Sequence, residues 1–490
     1  MSSLTRRDFI KGLSLSAAAA VAAPVTVPAS ALGLDGGVSA NERVTMGVVG
    51  CGNHSRYWNC PLMLQNKEQQ IVAICDPDET HLNDVKNFVN STYTKQTGSS
   101  YSVAALRDFR DVVNRKDVDA IDVITPDHWH VLMSVFAMRA GKHVITEKPV
   151  LTIRQGQKLV QTQQETGKVL QVASEFRTFD VCQKVVNLCR NRVIGELRNI
   201  KVLLPHGNRI RNNMDFNVRP IPPTLDYDLW SGPAPILPFI PGRLHINWRN
   251  HFSYAGGTLP DWGAHLINIA YWAANSDAQP PVKFSVNTDD PKTRYTIPGK
   301  TENIKDFPPA DVAWTTAPNW DINAVFANGI KMRIWSDTTI GIKVEGTEGW
   351  YLAKWPFDKP EASSPEILNW EPGPNDIDVG RDLQYCMVSR VKGKGLPIAQ
   401  KGGEHVHFSH CVKTGNVNTY YPAWLGFNTD VTGLTGNIMM VHDLPSLEWD
   451  AKEQKYVGEN ADVANGSFLF DRPQRDPYTF ENIDSWINVG

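Results

Sequence analysis

The sequence predicts an α/β protein whose first half is a doubly wound parallel sheet with helices on both faces. Three observations carry that prediction. Short β-branched apolar runs alternate with stretches of helical spacing, a G-x-G lies directly after the first run, and the second run ends on an aspartate.

The elements follow in order. "VTMGVVG" (44–50) is apolar without alternation, the pattern of a strand buried on both faces. "QIVAICD" (70–76), "DAIDVITP" (119–126) and "KHVITEK" (142–148) repeat it. Between them, "DETHLNDVKNFV" and "HVLMSVFAMRAG" carry helical spacing, and the second stops at Gly141. The first turn reads "GCGNHS". Gly50 and Gly52 let the backbone approach a pyrophosphate, which helix N–H groups would hold. Asn53 and Ser55 complete the expected cofactor turn, with Ser55 where the fingerprint has its third glycine. Serine is small enough to keep helix and strand close. Asp76 lies 24 residues past Gly52. That is near the ~20 expected of a carboxylate that bonds ribose hydroxyls. A carboxylate there repels a 2′-phosphate, so NAD is expected rather than NADP. A turn aspartate before Pro77 is the other reading.

With 490 residues the chain is too long for a single core, and two or three units are expected. A net charge of −3 offers no basic field for nucleic acid or an anionic membrane. No internal stretch reaches the ~18 unbroken apolar residues of a membrane helix. Seven cysteines stand at 51, 60, 75, 182, 189, 386 and 411 without a C-x-x-C, so buried free thiols are expected, not a disulfide framework or a zinc cluster. The 15 tryptophans are mostly packing residues, though flat indole faces also stack on sugars.

The N-terminus reads as an address. Arg6 and Arg7 precede Phe9, Ile10 and Lys11, then comes an alanine-rich run and "ASA" at 29–31. "TRRDFIK" resembles a twin-arginine signal, with cleavage expected after Ala31 and export to the periplasm or beyond. That route moves folded proteins, which fits thiols kept reduced during folding.

Further along, "GGTLPDWGAHLINIAYW" (256–272) sets Asp261 and His265 one helical turn apart. Taken with "DAIDVITPDHWHVLMSVFAMRAGKHVITEKPV" (119–150), "DYDLWSGPAP", "IKVEGTEGW" and "LEWDAKEQKY", this closely resembles the Gfo/Idh/MocA oxidoreductases over roughly residues 43–475. The resemblance implies a Rossmann domain followed by an α+β domain on an open, mainly antiparallel sheet. The expected division is signal 1–31, dinucleotide-binding domain 43–173, substrate and oligomerisation domain 174–450 and tail 451–490.

The resemblance also implies a catalytic pocket lined by Lys148 of "EKP" and by Asp261 and His265. It implies Thr125, Pro126 and His130 on the adenosine or nicotinamide side, and Glu147 on the ribose. Arg177 in "SEFRTF" is a candidate substrate contact. Trp248 and Trp262 flank the pocket and could stack on a sugar, although core packing serves equally. Chemically, His265 has an ordinary pKa suited to taking a hydroxyl proton near neutrality. Lys148 could stabilise alkoxide charge, with a pKa expected to fall beside a cationic nicotinamide. Asp261 would either orient the histidine or hold a neighbouring hydroxyl.

"EHVHFSH" (404–410) reads as a helix ending at Gly415, on which His405 and His407 point apart although His407 and His410 could be neighbours, and no metal is expected. The leading activity is NAD-dependent oxidation or reduction of a secondary hydroxyl on a sugar or glycoside. The alternatives are a redox-neutral, NAD-dependent glycosidase, ping-pong transfer between two sugars, and a non-catalytic nucleotide-binding module. The expected partner is a small carbohydrate, with no nucleic acid and no membrane insertion after signal cleavage. The second domain's sheet face is a candidate homo-oligomer contact.

Overall fold

A computed structural model of the chain describes residues 39, 42–207, 215–287, 312, 314–357, 359–382, 388–389, 398–399 and 403–487. The signal-like segment and Cys386 lie outside the described residues. Val44–Gly490 is one compact unit.

Six strands make the first sheet: β1 (Val44–Val49), β2 (Gln69–Cys75), β3 (Ala104–Leu106), β4 (Ala120–Val123), β5 (His143–Glu147) and β6 (Leu170–Ala173). Their order is β3-β2-β1-β4-β5-β6, all parallel. The central strands are buried along almost their whole length because helices cover both faces. The helix Glu79–Thr97 starts where Asp78 caps it by accepting from Thr80 N, and stops at Gly98 in the left-handed region. The helix Asp127–Arg139 is buried along almost its whole length, since the helix Ile153–Thr166 covers the side that the sheet leaves. Strand order reverses between β1 and β4, and open α/β sheets place ligands at the carboxyl ends of strands beside such a reversal.

The second sheet has nine strands: β7 (Leu197–Pro205), β8 (Lys283–Val286), β9 (Asp321–Val325), β10 (Lys331–Asp337), β11 (Gly341–Gly346), β12 (Trp350–Lys354), β13 (Glu361–Ala362), β16 (Ser446–Asp450) and β17 (Lys455–Val457). Two short strands, β14 (Val388–Ser389) and β15 (Ile398–Ala399), pair separately. The order is β13-β12-β11-β7-β10-β9-β8-β16-β17, antiparallel except at β7 and β10. Alternation is clean on β7. Ile200, Val202 and Leu204 turn inward, while Lys201 pairs with Glu345 on the other face at 2.7 Å. The helices Thr258–Ala273 and Ala423–Val441 pack together against the apolar face.

The helix Ala423–Val441 also joins this domain to the first. It crosses the helix Ile153–Thr166 so closely that a Cβ on Gly156 would lie 2.2 Å from the Phe427 ring. Asp430 Oδ2 accepts from Val150 N at 2.8 Å, holding the loop after β5. The chain beyond β17 runs back over both domains. Trp486 meets Phe109 and Phe136 edge-on, and Arg475 bonds Asp228 at 2.8 Å. No helix among the described residues is long and apolar enough to cross a membrane.

Asp430 yields a stability prediction. Burial pushes its carboxyl up to about 8. A folded-state pKa above the unfolded value favours folding while the group is protonated, and that contribution is lost as pH rises towards 8. Asp430→Asn stays neutral and should therefore gain melting temperature over the parent at pH 8, on the order of a few degrees. Little gain is expected at pH 5. An equal difference at both pH values would refute the assignment.

Candidate functional site

A cavity of about 510 Å³ opens at the carboxyl ends of the first sheet. Its floor is the turn after β1. Gly50 has φ +100°, and a Cβ there would lie 2.2 Å from Ile124 O, so only glycine fits. A Cβ on Gly52 would meet nothing within 4 Å, which leaves its backbone open to a ligand. Asp76 closes the far wall. Its Oδ2 accepts from Cys51 N at 2.7 Å and its Oδ1 from Asp78 N at 2.8 Å, so the carboxylate braces the turn while facing the cavity. Thr125 Oγ1 is buried without a hydrogen-bond partner among the described residues. An open glycine backbone, a braced carboxylate and an unpaired hydroxyl along one cleft fit a dinucleotide.

Of the expected cofactor residues, Gly50, Gly52, Asn53, Asp76, Thr125, Pro126, His130, Glu147 and Lys148 line this cavity. Two of them also serve the scaffold. The ring nitrogens of His130 lie 3.0 Å from Pro149 O and 2.8 Å from Thr125 O, so the imidazole staples two strand-end loops together. Glu147 Oε1 faces His54 Nε2 at 3.1 Å and accepts from Asn59 Nδ2 at 3.2 Å. Burial raises the Glu147 carboxyl, but His54 and Lys148 outweigh it and hold the group down at about 2. Ser55 stands apart from the cavity. It is fully buried, 3.3 Å from Cys60 Sγ, and keeps the helix against the sheet.

Lys148 follows β5 and points across the domain boundary. Its Nζ donates to Asp261 Oδ1 at 2.6 Å and to Asp261 O at 3.1 Å. Arg249 Nε approaches the other carboxylate oxygen at 3.4 Å. Lys148 and Arg249 line the cavity; Asp261 meets it through Lys148, and neither Asp261 nor His265 is itself a lining residue. Asp261 is therefore the anchor of Lys148. Burial opposes its ionisation, yet Lys148 and Arg249 hold its carboxyl far below the usual range. Lys148 is held the opposite way by the protein's own groups. Burial lowers its pKa, but Asp261 and Glu147 outweigh burial and the net direction is upward.

His265 lies under Phe176, ring centroids 4.5 Å apart and nearly parallel. Its Nδ1 is 3.2 Å from Ser174 Oγ and 3.9 Å from Glu175 Oε2. Burial first, then Lys148, holds His265 well below the ordinary histidine value, so the ring is neutral at pH 7.

The substrate candidates divide. Trp248 lines the cavity with Arg249 packed on its face. Trp262 meets Trp355 and His265 edge-on away from the cavity. Arg177 does not face the cavity. Its guanidinium donates to Asn268 Oδ1 and Asp277 Oδ1, both at 2.8 Å, and lies over Trp272. Those partners lie 91 and 100 residues away in the chain, beyond any local pattern. Arg249, Ser174, Glu175 and His54 are site residues the sequence reading missed. Ser174 and Glu175 follow β6 directly, and the rule that ligands gather at strand ends was the signal that pointed to them. "EHVHFSH" does form a helix, Glu404–Thr414, ending at Gly415.

Fold and cleft together define a dinucleotide-binding oxidoreductase. Residues 44–174 match the model of the oxidoreductase family with an NAD-binding Rossmann fold, and residues 210–340 match that family's C-terminal alpha/beta domain. The chain belongs to the Gfo/Idh/MocA oxidoreductase family. It is 30% identical over 215 residues to a glycosyl hydrolase family 109 protein of Shewanella pealeana, covering 40% of this chain and 44% of that one. The match thus spans less than half the length of that relative. Among solved structures, the WlbA dehydrogenase of Bordetella pertussis, in complex with NADH and UDP-GlcNAcA, shares 15% identity at a TM-score of 0.54, covering 83% of this chain and 99% of that one. The aldose-aldose oxidoreductase of Caulobacter crescentus, complexed with glycerol, shares 16% at 0.52, covering 85% and 100%. At these identities the likeness is one of fold.

The electrostatics give a direct check. His265 should titrate below the ordinary 6.5 by imidazole NMR, and Lys148→Met should raise its pKa by removing a neighbouring cation. A His265 that titrates at or above 6.5 in the parent would contradict this account.

Proposed function

We propose that this chain oxidises or reduces a secondary hydroxyl of a sugar or glycoside by hydride transfer with NAD. The observation that carries the reading is Lys148, which stands in the dinucleotide cleft and is held there by Asp261 from the second domain. The dinucleotide, when bound, supplies the hydride acceptor. Lys148 holds the substrate oxygen and stabilises the charge that develops as the hydroxyl proton leaves. His265, neutral and backed by Ser174, receives that proton. NAD is favoured over NADP because Asp76 repels a 2′-phosphate. The guanidinium of Arg107 at that end is engaged with Pro77 O and Thr224 O at 3.0 and 3.2 Å.

Two observations favour a redox-neutral glycosidase as the second reading. The Shewanella pealeana relative is a glycosyl hydrolase. The cleft is also lined from the second domain by Leu229, Trp230, Ile246 and Trp248, apolar cover that suits a dinucleotide retained through the cycle. In this route, oxidation at sugar C3 acidifies the C2 proton and a base removes it. The aglycone then leaves, water adds, and the ketone returns to the alcohol. The twin-arginine pattern at Arg6 and Arg7 leads us to propose export as well, which suits a cycle without free NAD. Replacing both arginines with lysine should retain the chain in the cytoplasm, and continued export would refute that proposal.

An aryl glycoside incubated without added NAD separates the two readings. Aglycone release identifies the redox-neutral route, whereas NADH formation from free sugar with added NAD identifies the dehydrogenase. Under either outcome, Lys148→Ala and His265→Ala should each lower kcat/KM by about a hundredfold or more. Unchanged rates in both variants would sink the proposal. Asp76→Ser should lower the preference for NAD over NADP by at least about tenfold in binding, since a tenfold change needs only ~1.4 kcal/mol. A parent that binds NADP more tightly would overturn the assignment.

A further inference from the structure

At the adenosine end of the cleft, three side chains converge that the catalytic cluster does not use. Asp78 caps the helix Glu79–Thr97, His81 lies one turn into it, and His245 arrives from the second domain. One ligand atom from each lies within 4.8 Å of the others. Among the described residues, neither imidazole has a hydrogen bond. Asp78 Oδ1 accepts from Thr80 N at 2.9 Å, which orients the carboxylate and leaves Oδ2 unpaired.

We propose that Asp78, His81 and His245 bind one zinc-type divalent transition-metal ion, which clips the second domain to the dinucleotide-binding domain beside the cleft. Two imidazoles and a carboxylate are a ligand set that zinc and its neighbours accept, with a further position left for water. Tetrahedral bonds of ~2.1 Å set ligand atoms roughly 3.4 Å apart, so side-chain rotations of about an ångström complete the site. The backbone around it is already registered across the two domains. Glu79 N donates to Thr224 O at 3.0 Å, and Asp226 N donates to Pro77 O at 3.1 Å. His245 has φ +51°, a left-handed conformation unusual for histidine, in the segment that brings its ring to His81.

The competing occupant is the adenine of the dinucleotide. The geometry disfavours an adenine held between the two rings. Their centroids lie 4.5 Å apart with planes tilted by 60°, whereas a base between them needs ~7 Å and parallel faces.

The test is cobalt(II) titration of the full chain, prepared without a histidine tag and stripped with chelator. One equivalent should bind with a ligand-field spectrum of low coordination number and be displaced by zinc(II). His81→Ala and His245→Ala should each weaken binding by about a hundredfold or more. Asp78→Asn still caps the helix and should weaken the metal without lowering the melting temperature, which separates ligation from folding. Absence of stoichiometric cobalt binding by the parent would overturn the proposal. So would binding unchanged in both histidine variants. If the histidine variants lose NAD affinity in metal-free protein while the parent binds no cobalt, the pair holds adenosine, and the metal assignment fails.

Discussion

The arrangement of this molecule turns on the ion pair between Lys148 and Asp261. The lysine follows the fifth strand of one domain and the aspartate begins a helix of the other, and they meet at 2.6 Å with little solvent around either. Removing two charges from water is costly, and mutual attraction offsets the cost only when the partners meet closely and their remaining hydrogen-bonding capacity is used. Here Arg249 takes the second carboxylate oxygen and Asp261 O takes a second lysine proton. The pair is stable only if the two domains are docked in one way. The apolar crossing of Gly156 and Phe427, and the Asp430 bond to the loop after β5, hold that docking as well.

The dinucleotide end of the cleft obeys the same logic with backbone groups in place of cations. Asp76 accepts from the N–H groups of Cys51 and Asp78, so one carboxylate joins the glycine turn to the loop after β2. His130 does the same between Thr125 and Pro149. Residues that a motif assigns to a ligand are thus also the residues that shape the site, and a substitution at either position disturbs both.

Much of this was legible in the chain because it is local. Buried parallel strands leave unbroken apolar runs, helix caps leave Asp and Gly at fixed offsets, and the turn after the first strand needs Gly50 where Ile124 O comes close. Ser55 was assigned to the cofactor because it occupies a fingerprint position, but the helix there winds as a π turn and buries the hydroxyl against Cys60. Arg177 is a candidate by its place in "SEFRTF", and only tertiary packing shows its bonds to Asn268 and Asp277. Arg249 and His245 sit in a segment of short 3₁₀ turns without periodicity, so no spacing announces which side chains turn inward. The family resemblance supplied the catalytic trio. The identity of the partner that Asp261 holds came from the geometry.

Asp261 and Asp430 show how closely charge follows position. Both are buried, both lie on helices of the second domain, and both reach the loop that carries Lys148. Asp261 bonds the ammonium itself and stays ionised, whereas Asp430 bonds only a backbone N–H and burial keeps it protonated to about pH 8. Near the reacting centre, Lys148 and Arg249 are then balanced by Asp261 and Glu147, and His265 is neutral. In the proposed reaction the proton goes to the neutral imidazole, the group whose protonation Lys148 opposes and Asp261 and Glu147 favour. Under that proposal, proton acceptance at His265 is coupled to how firmly Asp261 holds Lys148, which ties the proposed chemistry to the docking of the two domains.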